Sequence, residues 1–217
     1  MIDYTKQEIT MKKVLLGATI AASVLSAQAF AEITANIGIT SDYIFRGVAQ
    51  STSATASAGI DFSESGFYAG AWAADLDNGS EVDIYGGYIF ETDSFSIGGG
   101  ATSYIYTSDI LEDAEVVEGN VYVGFGPVSL EYSFGEFDND IEYSVIVASI
   151  ELENGFRAKA GGFGKDAEGN WVELGFGADV GGFDAGIDLI YSSKKLNVFI
   201  DDSDTSIVFS LGKEFNI

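Results

Sequence analysis

From residue 32 onward the chain alternates apolar and polar residues with a period of two, in segments of about ten residues separated by Gly, Asn, Asp and Ser. A period of two places successive side chains on opposite faces of a β-strand. The last segment, residues 205–217, shows it most clearly. Ile207, Phe209, Leu211, Phe215 and Ile217 share one face; Val208, Ser210, Gly212, Glu214 and Asn216 share the other. Residues 54–62 repeat the pattern, with Ala56, Ala58, Ile60 and Phe62 set against Thr55, Ser57, Gly59 and Asp61. Further strands are predicted over 33–46, 66–73, 81–90, 94–106, 117–125, 128–134, 141–150, 156–163, 171–180 and 183–191. In 66–73 aromatic residues fall on both faces, which leaves the apolar side open. The single proline, Pro127, sits in a predicted turn, where its missing N–H costs no ladder bond. Residues 196–200 read as a strand extension or part of a loop.

The connections sort by length. Those near 63–66, 91–94, 126–127, 151–155 and 181–182 are short. Those near 47–53, 75–80, 107–114, 135–140, 164–170 and 193–204 read as longer and more acidic. Outer-membrane barrels have short periplasmic turns, longer outer loops and an even strand number. Alternation alone does not separate such a barrel from a soluble sandwich. Loop sorting, an export signal and the terminal strand favour the barrel. The predicted fold is all-β: a transmembrane antiparallel up-and-down β-barrel of about 12 strands with periplasmic termini, the last strand pairing with the segment that begins near Ile33. The spacing of Ser210, Gly212, Phe215 and Ile217 resembles the C-terminal signal for barrel insertion, although that signal usually ends on an aromatic residue.

Residues 11–13 are Met-Lys-Lys, residues 14–25 are apolar, and Ala29-Phe-Ala31 is a small-x-small cleavage site. These are the parts of a secretory signal peptide. Residues 1–31 are therefore assigned to a signal peptide starting at Met11 and cut after Ala31, and residues 32–217 to the barrel. Its apolar core is too short for a membrane helix.

Composition narrows the chemistry. The 217 residues contain no His and no Cys, which excludes imidazole and thiolate catalysis and disulfides. A formal charge of −24 excludes nucleic-acid binding through a basic patch. The mature chain keeps seven Lys/Arg against 32 Asp/Glu. An apolar content of 47% and an aromatic content of 13% argue against disorder. The candidate pore-lining residues are Asp61, Glu81, Asp83, Glu118, Glu131, Glu142, Glu173, Asp179, Asp184 and Asp188, joined by Arg157 and Lys159. Arg46 is placed near the outer mouth, where Asp42 or Asp83 would pair with it. Such an excess of carboxylates attracts cations; the alternative is that the acids keep the lumen wet and pair with Arg157 and Lys159. Tyr68, Trp72, Tyr85, Tyr88, Tyr104 and Trp171 read as interfacial girdles, with a sugar-stacking track as the alternative. Lys213 is expected to snorkel at the periplasmic interface. The acidic loops 75–80, 138–140 and 201–204 offer oxygen ligands but lack the calcium-loop spacing, and read as solvated charge.

Residues 41–47 (Ser-Asp-Tyr-Ile-Phe-Arg-Gly) with Gln50-Ser51, residues 64–72 and residues 81–88 resemble the TorF-type putative porin family of Gram-negative outer-membrane proteins. The resemblance is specific over 41–90 and generic beyond. It implies a porin-like barrel in the outer membrane and brings no catalytic residues. The reading is a passive channel for ions or small solutes, weakly cation-selective and without a cofactor. Its partners would be outer-membrane lipid, lipopolysaccharide and the barrel-assembly machinery. The alternative is a non-conducting structural or adhesive barrel. An enzyme is disfavoured because no positioned base is found.

Overall fold

A computed structural model describes residues 31–107, 115–137, 141–196 and 203–217. Twelve antiparallel strands close into one barrel: β1 (Glu32–Thr40), β4 (Thr55–Glu64), β5 (Phe67–Leu76), β6 (Gly79–Glu91), β7 (Phe95–Tyr106), β8 (Glu115–Phe125), β9 (Val128–Phe137), β10 (Ile141–Glu151), β11 (Phe156–Lys165), β12 (Gly169–Asp179), β13 (Asp184–Ser192) and β14 (Asp204–Asn216). Two short strands, β2 (Tyr43–Phe45) and β3 (Val48–Ser51), pair only with each other. A 3-10 turn covers Lys194–Leu196, and no α-helix occurs among the described residues. Residues 197–200 of the ambiguous segment lie outside them, as do the acidic loop 138–140, residues 201–202 and the predicted signal peptide through residue 30.

Closure is made where the terminal strand predicts it. β14 pairs antiparallel with β1, Phe215 opposite Ala35 and Gly212 opposite Gly38, and the Ile217 N–H donates to the Ile33 carbonyl at 2.9 Å. With both edges joined, every ladder has a partner, as hydrocarbon demands of a spanning sheet. The strands run 9 to 13 residues, enough to cross a bilayer when tilted.

The apolar face of each strand points out. Ile37, Leu130, Leu174 and Phe209 are each more than half exposed, which costs heavily in water and little in lipid. Phenylalanines gather on the outside of one end. Phe67 lies edge-on to Tyr88 at 4.8 Å, Phe156 packs on Phe176 at 4.9 Å, and Phe90 on Phe95 at 6.2 Å. Lys213 Nζ sits 4.9 Å above Phe183 and 5.6 Å from Phe215. This ring of apolar aromatics marks the short-turn end, where a barrel meets an interface.

Two expectations are corrected. The connections at 77–78 and 166–168 are as short as those at the opposite end, because β5, β6, β11 and β12 extend beyond the segments predicted for them. Polar residues at those strand ends read as loop, yet their backbone still completes the ladder. Long connections remain at 41–54, 107–114 and 193–203. The first strand, predicted through residue 46, stops at Thr40. Thr40 Oγ1 donates to the Asp42 carbonyl and Ser41 Oγ to Asp42 Oδ2, both at 2.9 Å. The Ser41 N–H donates to the Phe209 carbonyl at 2.8 Å. Past this elbow the β2–β3 hairpin turns into the lumen.

Candidate functional site: the lumen and its inserted hairpin

The hairpin turns at Arg46-Gly47, where φ is 51° and 76°. Positive φ at both central positions belongs to the two-residue turn that matches strand twist. Glycine accepts that geometry freely; arginine does not. Gly47 also lies too close to Trp171 and Leu196 for a side chain, since an added Cβ would stand 2.6 Å from Trp171 Cβ. Its carbonyl accepts a 2.7 Å hydrogen bond from Ser192 Oγ on β13. The tip therefore reaches from β1 past β14 to β13 and β12, two and three strands away in the closed order.

Arg46 is the hairpin's polar anchor. Nη1 donates to Glu118 Oε2 at 2.6 Å, and Nη2 to Glu131 Oε1 at 2.9 Å and Ser133 Oγ at 3.0 Å. Glu118 is fully buried and also accepts from Asn120 Nδ2 (2.6 Å), Tyr143 Oη (2.9 Å) and Tyr104 Oη (3.3 Å). Ser133 Oγ donates to Glu131 at 2.8 Å. A buried ion pair is tolerated only when its remaining lone pairs and protons are satisfied in this way. Arg46 is thus deep inside, paired with neither Asp42 nor Asp83, and its expected place at the outer mouth is corrected. Phe45 and Val48 pack beside it on an apolar cluster of Tyr104, Val116, Tyr143, Val145, Val147, Trp171 and Leu196. This cluster fills one side of the lumen's long-loop half.

The base of the hairpin is tied down outside the membrane-spanning region. Asp77 Oδ2 accepts from the Thr52 N–H and Oγ1, both at 3.0 Å. Its Oδ1 accepts from Ser51 Oγ at 3.0 Å and Ser53 Oγ at 2.6 Å. These donors, the Ser53 hydroxyl first, hold the Asp77 carboxyl well below the usual carboxylate range. The candidate cation loop around residue 77 is thereby committed to hydrogen bonds within the protein.

Three further groups line the barrel. Arg157 Nη2 contacts both Asp188 oxygens at 2.6 Å, and Lys159 Nζ lies 3.6 Å from Glu173. Tyr85 Oη donates to Asp61 Oδ1, and Asn36 Nδ2 to Asp61 Oδ2 at 3.3 Å. Tyr43 Oη donates to Glu81 Oε1 at 2.8 Å. Asp83 is almost completely buried and its Oδ1 has no hydrogen-bond partner among the described residues. Asp184 is half-buried at the short-turn end, and Asp179 accepts from the Gly182 N–H of a turn at 3.3 Å. Glu142 is corrected. It alternates with the inward Tyr143 and Val145, so it faces outward at the rim, exposed and paired with Lys165 at 2.9 Å. Of the insertion-signal residues, Ser210 and Gly212 face the lumen and Phe215 faces out.

The girdle assignment is also corrected. Tyr68, Trp72, Tyr85, Tyr104 and Trp171 point inward, and only Tyr88 of that group is exposed. Their tyrosine hydroxyls carry polarity suited to a lumen, whereas the outer ring is mostly Phe. The two-residue period puts Asn120 and Ser133 on the lumen face, where they complete the hydrogen-bond network; sequence reasoning missed Tyr43, which holds Glu81, and Glu214, which lines the same space. Glu214 was legible from the two-residue period of the last strand.

A cavity of about 240 Å³ remains beside the hairpin. Its lining includes Thr40, Asp42 and Thr55 at the long-loop end and Asp61, Asp184 and Glu214 at the short-turn end. Carboxylates outnumber cations along it.

Solved structures share this fold. The one reported under "Unveiling the Mechanism Behind the in-meso Crystallization of Membrane Proteins" is 10% identical with a TM-score of 0.58, over 86% of this chain and 84% of that chain. The KdgM porin is 6% identical with a TM-score of 0.54, over 86% of this chain and 99% of that one. A second structure holds the KdgM porin in complex with disordered oligogalacturonate and gives a TM-score of 0.53 at 6% identity, with the same coverage. No curated protein matches. The family model described as "Bacterial protein of unknown function (Gcw_chp)" matches residues 25–214, and the chain belongs to that family.

Proposed function

We propose that this protein is a porin-like outer-membrane channel for passive diffusion of ions or small solutes, narrowed by the β2–β3 hairpin and weakly cation-selective. The observation that carries the reading is the carboxylate-lined cavity, whose lining extends from one end of an outwardly apolar barrel to the other. A focused negative potential in a narrow aqueous path raises the local concentration of cations and repels anions. The resemblance of residues 41–90 to TorF-type putative porins supports the same reading. Residues 1–31 would be the export signal, cleaved after Ala31. The short-turn end, with both termini, would face the periplasm. Lipopolysaccharide would surround the other end, and the Ser210–Gly212–Phe215–Ile217 spacing would be read by the assembly machinery.

Liposome swelling with neutral and charged solutes of graded size tests the channel. Reversal potentials across planar bilayers in a salt gradient test its selectivity. The expected result is passage of the smallest solutes with a modest cation preference, and clear anion preference overturns the selectivity. The second reading, a non-conducting structural barrel, rests on the hairpin's packing of Phe45 and Val48 into the lumen. Absence of swelling for every solute favours it.

A further inference from the structure

Asp83 stands apart from the other lumen carboxylates. Glu118 has Arg46, Asp188 has Arg157, and Glu173 has Lys159. Asp61 has the hydroxyl of Tyr85, and Glu81 that of Tyr43 on one oxygen, its Oε2 having no hydrogen-bond partner among the described residues. Asp83 is 1% exposed and its Oδ1 has no hydrogen-bond partner among the described residues. A buried carboxylate oxygen left this way is costly unless something positive or hydrogen-donating reaches it.

Aromatic residues surround this carboxylate. Trp72 on β5 and Tyr104 on β7 are its direct cross-strand partners, which places their side chains within about 5 Å at Cβ on the same inward face. Tyr85 follows two residues along β6, on the same face. Tyr43, carried in by the hairpin, meets the Trp72 ring edge-on at 5.6 Å. Trp72, Tyr104, Tyr85, Tyr43 and Asp83 all line the one cavity. The hydroxyls of Tyr43, Tyr85 and Tyr104 are each engaged with a different carboxylate, so none of these tyrosines serves Asp83.

Several rings grouped about one carboxyl that lacks a cationic partner suit an organic cation. Ring faces attract a diffuse positive charge most strongly where water is excluded, and a carboxyl that ionises as the cation enters adds the pairing charge. A compact metal ion would instead need several converging oxygen ligands. No group of three candidate metal-ligating side chains occurs among the described residues. We propose that Asp83, Trp72, Tyr43, Tyr85 and Tyr104 form a binding site for a small organic ammonium, of the quaternary or alkylammonium class. The inference rests on the channel reading only in naming such a cation as a solute the lumen takes up. Binding itself is independent of conduction.

The test is calorimetric titration of the refolded barrel in detergent micelles, with choline as probe and 3,3-dimethyl-1-butanol, its neutral isostere, as control. The expected result is saturable binding of choline, at least tenfold weaker binding of the isostere, and at least tenfold weaker choline binding by Asp83→Asn. No binding of choline to the unsubstituted protein overturns the site, as does equal affinity for the isostere; both need no variant. Equal choline affinity in folded Asp83→Asn overturns it as well. Potassium conductance in bilayers is measured in parallel. A barrel that conducts without binding choline loses this site and keeps the channel. One that binds choline without conducting keeps the site and loses the channel.

Discussion

At the residue scale, the lumen depends on side chains that are each satisfied by a partner far away in sequence. Arg46 holds a left-handed backbone conformation that disfavours most residues, and three acceptors on β8 and β9 compensate for it. Arg46→Ala removes the cation and leaves Glu118 buried, an arrangement that costs about 3–5 kcal/mol. Urea unfolding of the barrel in vesicles should show that loss, and bilayer recording should show a larger conductance as the hairpin tip is freed. Arg46→Lys should recover only part of it, because a point charge cannot fork between Glu118 and Glu131. Gly70 illustrates the opposite constraint. An added Cβ would stand 2.6 Å from both the Tyr85 ring and Asp61 Oδ1, so Gly70→Ala must displace Tyr85 from Asp61. A cost of about 1–3 kcal/mol, typical of overpacking, is expected in the same unfolding measurement.

At the element scale the hairpin is the informative piece. Two strands of three and four residues are not stable alone; docking holds them, through Arg46 at the tip, Tyr43 at the side and Asp77 at the base. Asp77 has a depressed folded pKa, so its contribution is complete above the ordinary aspartate value of about 3.9 and declines as pH falls toward the lower folded value. Hydrogen exchange at the Thr52 amide, which donates to Asp77, should therefore stay slow through mildly acidic pH. Asp77→Asn should accelerate it at all of these pH values. Unchanged Thr52 exchange in that variant would show that Asp77 does not hold the base of the hairpin. The same element explains a limit of sequence reading. Tyr43, Ile44 and Phe45 do form a strand, as their residue types suggest, but β-propensity does not specify the pairing partner. They pair with β3 after an elbow at Ser41 and Asp42.

At the scale of the whole molecule, a closed sheet turns its apolar face toward lipid and its polar face toward an enclosed space. Leu174, midway along β12 and more than half exposed, belongs to the outer band. Leu174→Arg should destabilise the barrel by about 2–4 kcal/mol if residue 174 lies at the bilayer midplane. The measurement is urea unfolding in vesicles, and a neutral result there would place the band elsewhere. Closure also decides which charges meet. Arg46 and Glu118 are 72 residues apart in sequence, and strand register with barrel curvature brings them together.

The two-residue period alone determined the strands, their approximate bounds and the face to which Leu130, Leu174 and Phe209 belong. The terminal alternation predicted the β14–β1 seam for the same reason: each backbone group in a spanning sheet needs a partner, so the last strand must meet the first. Period, however, is a local property. It left Trp72 and Tyr68 undecided where both faces are aromatic, gave Glu142 to the wrong face near a strand end, and read the polar ends of β5 and β9 as loops. It also could not say that the 41–54 connection folds inward, because a loop's direction depends on acceptors that closure has already assembled. Glu118, Glu131 and Ser133 become a binding site for Arg46 only when β8 and β9 form the far side of a lumen narrow enough for a hairpin to cross.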